Sequence, residues 1–188
     1  NGYFDEALIQ TEKYIDQYTG EEIAPKFELL KATLIGKIQG YEAYKDALNY
    51  VALNYPNQPE GKQAEKIYSQ DLPKFVADEA SDRWKLAYSF ASNEEDLAKD
   101  FVEEVKEHLE EMAYGNLKVS IDYYNPELRL VMVHGLRSKL GARGLGGRLS
   151  EERKGSKLKP IKRTGFEISS PNYEKVLIHK NLEEYLNQ

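Results

Sequence analysis

Cysteine is absent from the 188 residues, which excludes disulfides, thiol nucleophiles and thiolate metal sites. The redox compartment stays open, because cysteine-free chains are ordinary both in the periplasm and in the cytosol. Long apolar runs are also missing, and none approaches the ~20 residues that a membrane span needs. Histidine is scarce: His108, His134 and His179 are the only three, and no two have the close spacing of a metal-binding pair. The chain begins at Asn1 without a signal-peptide pattern, so any targeting segment or lipidated cysteine is expected upstream. Hydrophobic residues at 40% and charged residues at 31% describe a chain that folds.

The net charge of −6 conceals an asymmetry. Residues 1–128 sum to −13, residues 129–163 to +9 and the remainder to −2. A basic island on an acidic body marks an exposed loop or a contact for an acidic partner.

The first third has helical spacing. The stripes are Phe4, Leu8, Ile15, Tyr18; then Ile23, Phe27, Leu30, Leu34, Ile38; then Tyr44, Leu48, Val51, Tyr55. Thr19-Gly20, Gly40 and Pro56 punctuate them, and a fourth helix is expected from Pro59 to Tyr68. Gly2-Tyr3 before Ala7-Leu8 is echoed by Gly40-Tyr41 before Ala47-Leu48, the Ala-Leu pairs being 40 residues apart. Such a period suits paired-helix repeats, with Ala7, Ala32, Ala47 and Ala64 admitting close helix contact. Residues 69–81, with Pro73, Asp78, Glu79 and Ser81, interrupt the pattern and resemble a linker.

The period then changes. Trp84, Leu86, Tyr88 and Phe90 alternate with Lys85, Ala87 and Ser89, as on a strand with one aromatic face. A helix with the stripe Leu97, Phe101, Val105, Leu109, Met112 follows, closed by Gly115. Strands are expected over 117–123 and 128–133, then a glycine-loosened helix with Leu136, Leu140, Leu145 and Leu149. A polar, mobile loop over 151–164, a short strand at Phe166-Glu167-Ile168 and a helical tail from Ser170-Pro171 complete the chain. In the tail, Val176-Leu177-Ile178 is open to a brief strand instead. The fold class is α+β: TPR-like helical hairpins over 1–72, a linker over 73–81, and a βαββαβ module with a C-terminal helix over 82–188.

Chemical motifs do not assemble. Neither a dinucleotide-binding nor a phosphate-loop template fits Gly141, Gly144, Gly146 and Gly147. Ser138 and Ser169 lie in no nucleophile-elbow motif. The row Glu103, Glu104, Glu107, Glu110, Glu111 has the pattern of a solvated helix face. The expectation is a non-enzymatic chain with no catalytic residue, metal or cofactor. A pI of about 5.3, and basic residues without interleaved aromatics, argue against nucleic acid.

Several segments together resemble one family. Ile23-Ala24-Pro25-Lys26-Phe27 with Leu30 and Ala32, Tyr41 with Ala47-Leu48, Val51 to Pro56, and Glu60-Gly61 are similar to its last helical repeats. Phe166 to Tyr173 and Lys180 to Leu186 are similar to its C-terminal signature. The family is the tetratricopeptide-repeat lipoproteins of Bacteroidota type IX secretion and gliding motility, the SprE/PorW type. The resemblance implies a periplasmic scaffold associated with the outer membrane, joining other secretion and motility subunits through protein–protein contacts. The alternative is a peptidoglycan-binding module of the SPOR type, suggested by the strand–helix order alone. The expected partner contact is the basic patch Arg137, Lys139, Arg143, Arg148, Arg153, Lys154, Lys157, Lys159, Lys162 and Arg163, facing an acidic protein or an anionic membrane surface.

Overall fold

Helical spacing in the first third produces helices α1 (Phe4–Gln17), α2 (Ala24–Gln39), α3 (Tyr41–Asn54) and α4 (Pro59–Tyr68). Proline at the first turn starts α2 and α4, where its missing N–H costs nothing. The computed structural model describes residues 3–78 and 81–188; Gly2 of the repeat echo and Glu79 of the expected linker lie outside the described residues. The chain is α+β, with eight α-helices and one four-stranded antiparallel sheet among the described residues. None of these helices is long and apolar enough to cross a membrane.

Two compact units form: Asn1–Phe75 with Lys175–Gln188, and Val76–Glu174. The last 14 residues, expected with the sheet module, therefore group with the N-terminal helices. In this helical unit α1 packs on α2, α2 on α3 and α3 on α4, and α2 also touches α4. Its centre is Ala32, Leu48, Val51 and Ala64, all buried. Tyr14, Tyr18 and Phe27 stack between α1 and α2, with centroids 5.3 to 6.4 Å apart. Ile23 and Leu30 of the expected stripe are exposed, and Ala24, Glu28 and Ala32 take the inward positions; Ala7 is exposed as well. The tail is helical, as α7 (Ser170–His179) and α8 (Leu182–Leu186), so Val176-Leu177-Ile178 is not a strand. Tyr41 meets the His179 ring edge-on at 5.0 Å, and Phe75 meets Tyr185 at 6.0 Å.

The second unit runs β1 (Trp84–Ala91), α5 (Glu95–Glu111), β2 (Lys118–Tyr123), β3 (Leu128–Leu136), α6 (Lys139–Ser150), β4 (Phe166–Ser169). The sheet order is β2-β3-β1-β4, with every neighbour antiparallel. Leu86, Tyr88 and Phe90 of β1 join Val131 and Val133 of β3 in one cluster with α5 and α6, so both helices cover the same face. Phe101 stands edge-on to Tyr88 at 4.9 Å and tilted against Phe90 at 5.1 Å. On the opposite face Ala87, Leu130, Met132 and Ile168 are fully buried.

Three expectations are corrected here. Leu97 is 58% exposed and Leu140 78% exposed, while Ala98, Val102 and Ala142 point inward. Leu136 ends β3 rather than opening a helix. The glycine-rich stretch is a continuous helix, capped by Ser138, whose Oγ accepts from the Gly141 amide at 3.0 Å.

Among the described glycines of the helical unit, Gly61 has the least room for a side chain. A Cβ there would lie 1.8 Å from the Tyr55 carbonyl oxygen, which is backbone and cannot swing aside. Gly61→Ala is expected to cost about 3 kcal/mol through forced separation of α4 from the end of α3. Chemical denaturation of the full chain measures it, and a cost under about 1 kcal/mol would show that the contact is not as drawn.

Candidate functional site

The basic island resolves into two kinds of residue. Arg143 pairs with Glu167. Arg148 lies over the Tyr114 ring at 5.6 Å and donates to its hydroxyl at 3.0 Å. Arg153 is half-buried, with Nη2 2.6 Å from His108 Nδ1 and 3.4 Å from Glu111. Arg163 sits 3.7 Å from the Phe90 ring centroid and donates to the Ser89 carbonyl at 2.5 Å and to Glu94 at 3.0 Å. Glu94 has its carboxyl held below the ordinary range, first by the Ala91 amide and then by Arg163. These four arginines fasten the fold. Lys139 rests 5.8 Å from the Trp84 ring. Lys154, Lys157, Lys159 and Lys162 are exposed, and none of their amines meets an acid within ion-pair distance among the described residues. Arg137, exposed just after β3, likewise has no ion pair among the described residues.

The loop over 151–165 is anchored, contrary to the mobile loop expected. Ile161 is 3% exposed in the sheet core, and its amide bonds the Leu149 carbonyl at 2.9 Å. His108, 1% exposed on α5, is the second anchor. Its Nδ1 accepts from Arg153, so its Nε2 carries the proton donated to the Lys159 carbonyl at 3.0 Å. Ser156 donates to Glu111 at 3.0 Å. A polar composition does not make a loop loose when one isoleucine and one buried histidine hold it.

A polar network on the sheet's opposite face escaped the sequence reading. Lys85 Nζ is 3.1 Å from His134 Nδ1, His134 Nε2 is 2.7 Å from Ser120 Oγ, and Ser120 donates to Asp122 Oδ1 at 2.7 Å. Tyr173 donates to Asp122 Oδ2 at 2.5 Å. Every donor points toward Asp122: Lys85 to His134, His134 to Ser120, Ser120 and Tyr173 to the carboxylate. The serine proton is thus directed at an acid rather than at the histidine, the reverse of what an activated nucleophile requires. Burial, with Lys85 adding and Asp122 opposing, holds His134 below its ordinary value. Burial, chiefly, also lowers Lys85 and raises Tyr173, the latter reinforced by its bond to Asp122. Alternation offered a signal: Lys85, Ser120, Asp122 and His134 all fall on the positions between the helix-facing apolar ones.

In the helical unit a small groove of about 180 Å³ lies between α2 and α3, with Ala32, Ile35, Ala47 and Tyr50 as apolar walls. Glu28 lines it as well, and burial raises its carboxyl above the ordinary range. Among the described residues no group of three or more histidines and acids could hold a metal ion. No family model matches the chain, and no curated protein matches it.

Two outcomes follow from this geometry. Ile161→Ala should cost about 3 kcal/mol in denaturation, as for a buried core residue, where a loose loop would lose almost nothing. His134 and, in the helical unit, His179 both have folded values below 6.5, so the unfolded chain takes up protons first as pH falls. Their contribution is full above that value and is lost as pH falls through the folded values. Melting temperature should therefore drop below pH 6.5, and His134→Gln should flatten part of the drop.

Proposed function

We propose that the chain is a non-enzymatic scaffold, an assembly component of a periplasmic secretion and gliding-motility machinery associated with the outer membrane. It works by protein–protein contact. The observation that carries this reading is the anchored loop. Ile161, Arg153 and His108 hold its backbone, yet Lys154, Lys157, Lys159 and Lys162 stand exposed without acid partners among the described residues. A surface already ordered spares a partner the cost of ordering it. The helical unit supports the same reading. Its helices pack on their successors with α2 reaching α4, in the manner of tetratricopeptide-like arrays, and Leu53 and Tyr50 of α3 are left exposed. The family resemblance supplies the compartment and the class of partner.

Peptidoglycan binding by the sheet module has less support. The helix-facing side is filled by α5 and α6, and Ala87, Leu130, Met132 and Ile168 are buried on the other, which leaves the central strands no open face for a glycan. Sedimentation with purified sacculi tests it, and a protein that pellets with them would favour the module over the scaffold.

Affinity capture from native envelopes tests the scaffold. Subunits of the secretion machinery should be recovered at low salt, and their complete absence from the captured material would sink the reading. Reversing Lys157, Lys159 and Lys162 to Glu should slow association about tenfold at low ionic strength. The difference should vanish near about 1 M salt, where the screening length is about 3 Å. The three side chains are exposed, so the melting temperature should stay that of the parent.

A further inference from the structure

A cleft of about 660 Å³ opens in the sheet unit where β1 begins and β3 ends. Its cause is a bulge. Trp84 pairs with Leu136 and Leu86 with Val133, so β3 carries one residue more than β1 across this step. Gly135 absorbs the extra residue at φ +97°, a conformation that favours glycine. The bulged end of β3 sets Leu136 and Arg137 beside Asp82, Arg83 and Lys85 at the start of β1. Three bases thus face one acid.

Of these bases, the two arginines have no internal acid partner among the described residues. Arg143, Arg153 and Arg163 each pair with a glutamate, but among the described residues neither Arg83 nor Arg137 meets a carboxylate within ion-pair distance. Lys85 spends one donor on His134 and keeps two. Its amine is held below its ordinary range chiefly by burial, a shift that the Asp122 and Glu174 carboxylates oppose and the Arg83 charge reinforces. The space is within the range of small-molecule pockets and far larger than one oxyanion, and half-buried Leu136 gives it an apolar wall.

We propose that this cleft binds a phosphate monoester of small-molecule size, its dianion held by the guanidinium groups of Arg83 and Arg137 above the Lys85 ammonium. The organic part lies along Leu136. Two guanidinium groups without acid partners match a dianion in charge, and guanidinium forks suit phosphate oxygens. The same chemistry is carried by a soluble metabolite and by the headgroup of a phosphomonoester lipid. The cleft and the lysine loop share no residue, so this site and the scaffold reading can fail separately.

Calorimetric titration of the full chain with glycerol 3-phosphate, inorganic phosphate and acetate tests the proposal, alongside flotation with phosphatidic acid or phosphatidylcholine vesicles. Saturable binding of glycerol 3-phosphate, weakened about tenfold by Arg83→Ala and again by Arg137→Ala, is the expected result. Lys157→Ala should change nothing. Arg137→Lys keeps the charge but loses the fork, so a partial loss there reports recognition rather than folding. Binding confined to phosphatidic acid vesicles, and lost in the same variants, assigns the headgroup as the source. Three results would overturn the site: no saturable binding of either phosphate source, binding indifferent to both arginines, or acetate bound as tightly as the monoester.

Discussion

Strand β1 is the central constraint of the sheet unit, because it is buried on two faces of opposite chemistry. Leu86, Tyr88 and Phe90 leave it toward α5 and α6 and form the middle of the main core. Lys85, Ala87 and Ser89 leave it the other way, and there Ala87 is fully buried while Lys85 is half-buried. With β3 on one side and β4 on the other, its hydrogen-bonding edges are used as well. A one-residue slip would drive Lys85 among Phe101 and Val105 and force three large apolar groups into the face where Ala87 is already fully buried, so the register admits no alternative. The remaining features hang on that register: the Arg163 contacts to Ser89 and Phe90, the Lys85–His134 bond and the bulge opposite Trp84.

The basic island divides by residue type, and the reason is chemical. A guanidinium is a rigid fork, weakly hydrated, able to lie on a ring and donate in its own plane. Arg148 and Arg163 do both, on Tyr114 and Phe90. An ammonium is compact and strongly hydrated, and fixing it costs rotamer entropy for little return at the surface. Lys154, Lys157, Lys159 and Lys162 accordingly stay in water. The excess of +9 over residues 129–163 is thus partly cancelled in space, by Glu94 on Arg163, Glu111 on Arg153 and Glu167 on Arg143. What remains at the surface belongs mainly to lysine and to Arg137.

Helix and strand periods were legible in the residues, while the direction of each face was not, and Leu97 and Ala98 show why. A stripe drawn through large apolar residues selects Leu97, Phe101, Val105 and Leu109. In the structure the buried row is Ala98, Phe101, Val102, Val105, His108 and Leu109, with Leu97 58% exposed. At its N-terminal end Ala98 is fully buried in the cluster that the helix forms with β1 and β3. Leu140 and Ala142 repeat the exchange in α6, as do Leu30 and Ala32 in α2. Side-chain size advertises hydrophobicity, but close approach between elements selects small residues, and the distance between elements is a tertiary property.

The loop over 151–165 and the Asp122 network were hidden for a related reason. In a run of lysine, arginine, serine and glycine, the single Ile161 carries no period, so its burial depends wholly on where Leu149 and α5 already are. His108 reads as one more polar residue on an acidic helix until Arg153 and the Lys159 carbonyl are brought to its two nitrogens across gaps of 45 and 51 residues. The network has better local grounds, since Lys85, Ser120, Asp122 and His134 alternate correctly with apolar neighbours. Alternation places them on a face and leaves that face free to be solvent or interior. What decides is Tyr173, which arrives from the far end of the chain and donates to Asp122. A polar stripe is a solvated surface until another element covers it, and then each unmet hydrogen bond costs about 1–3 kcal/mol. That penalty, rather than any propensity of the strands, is what aligns four donors in one direction.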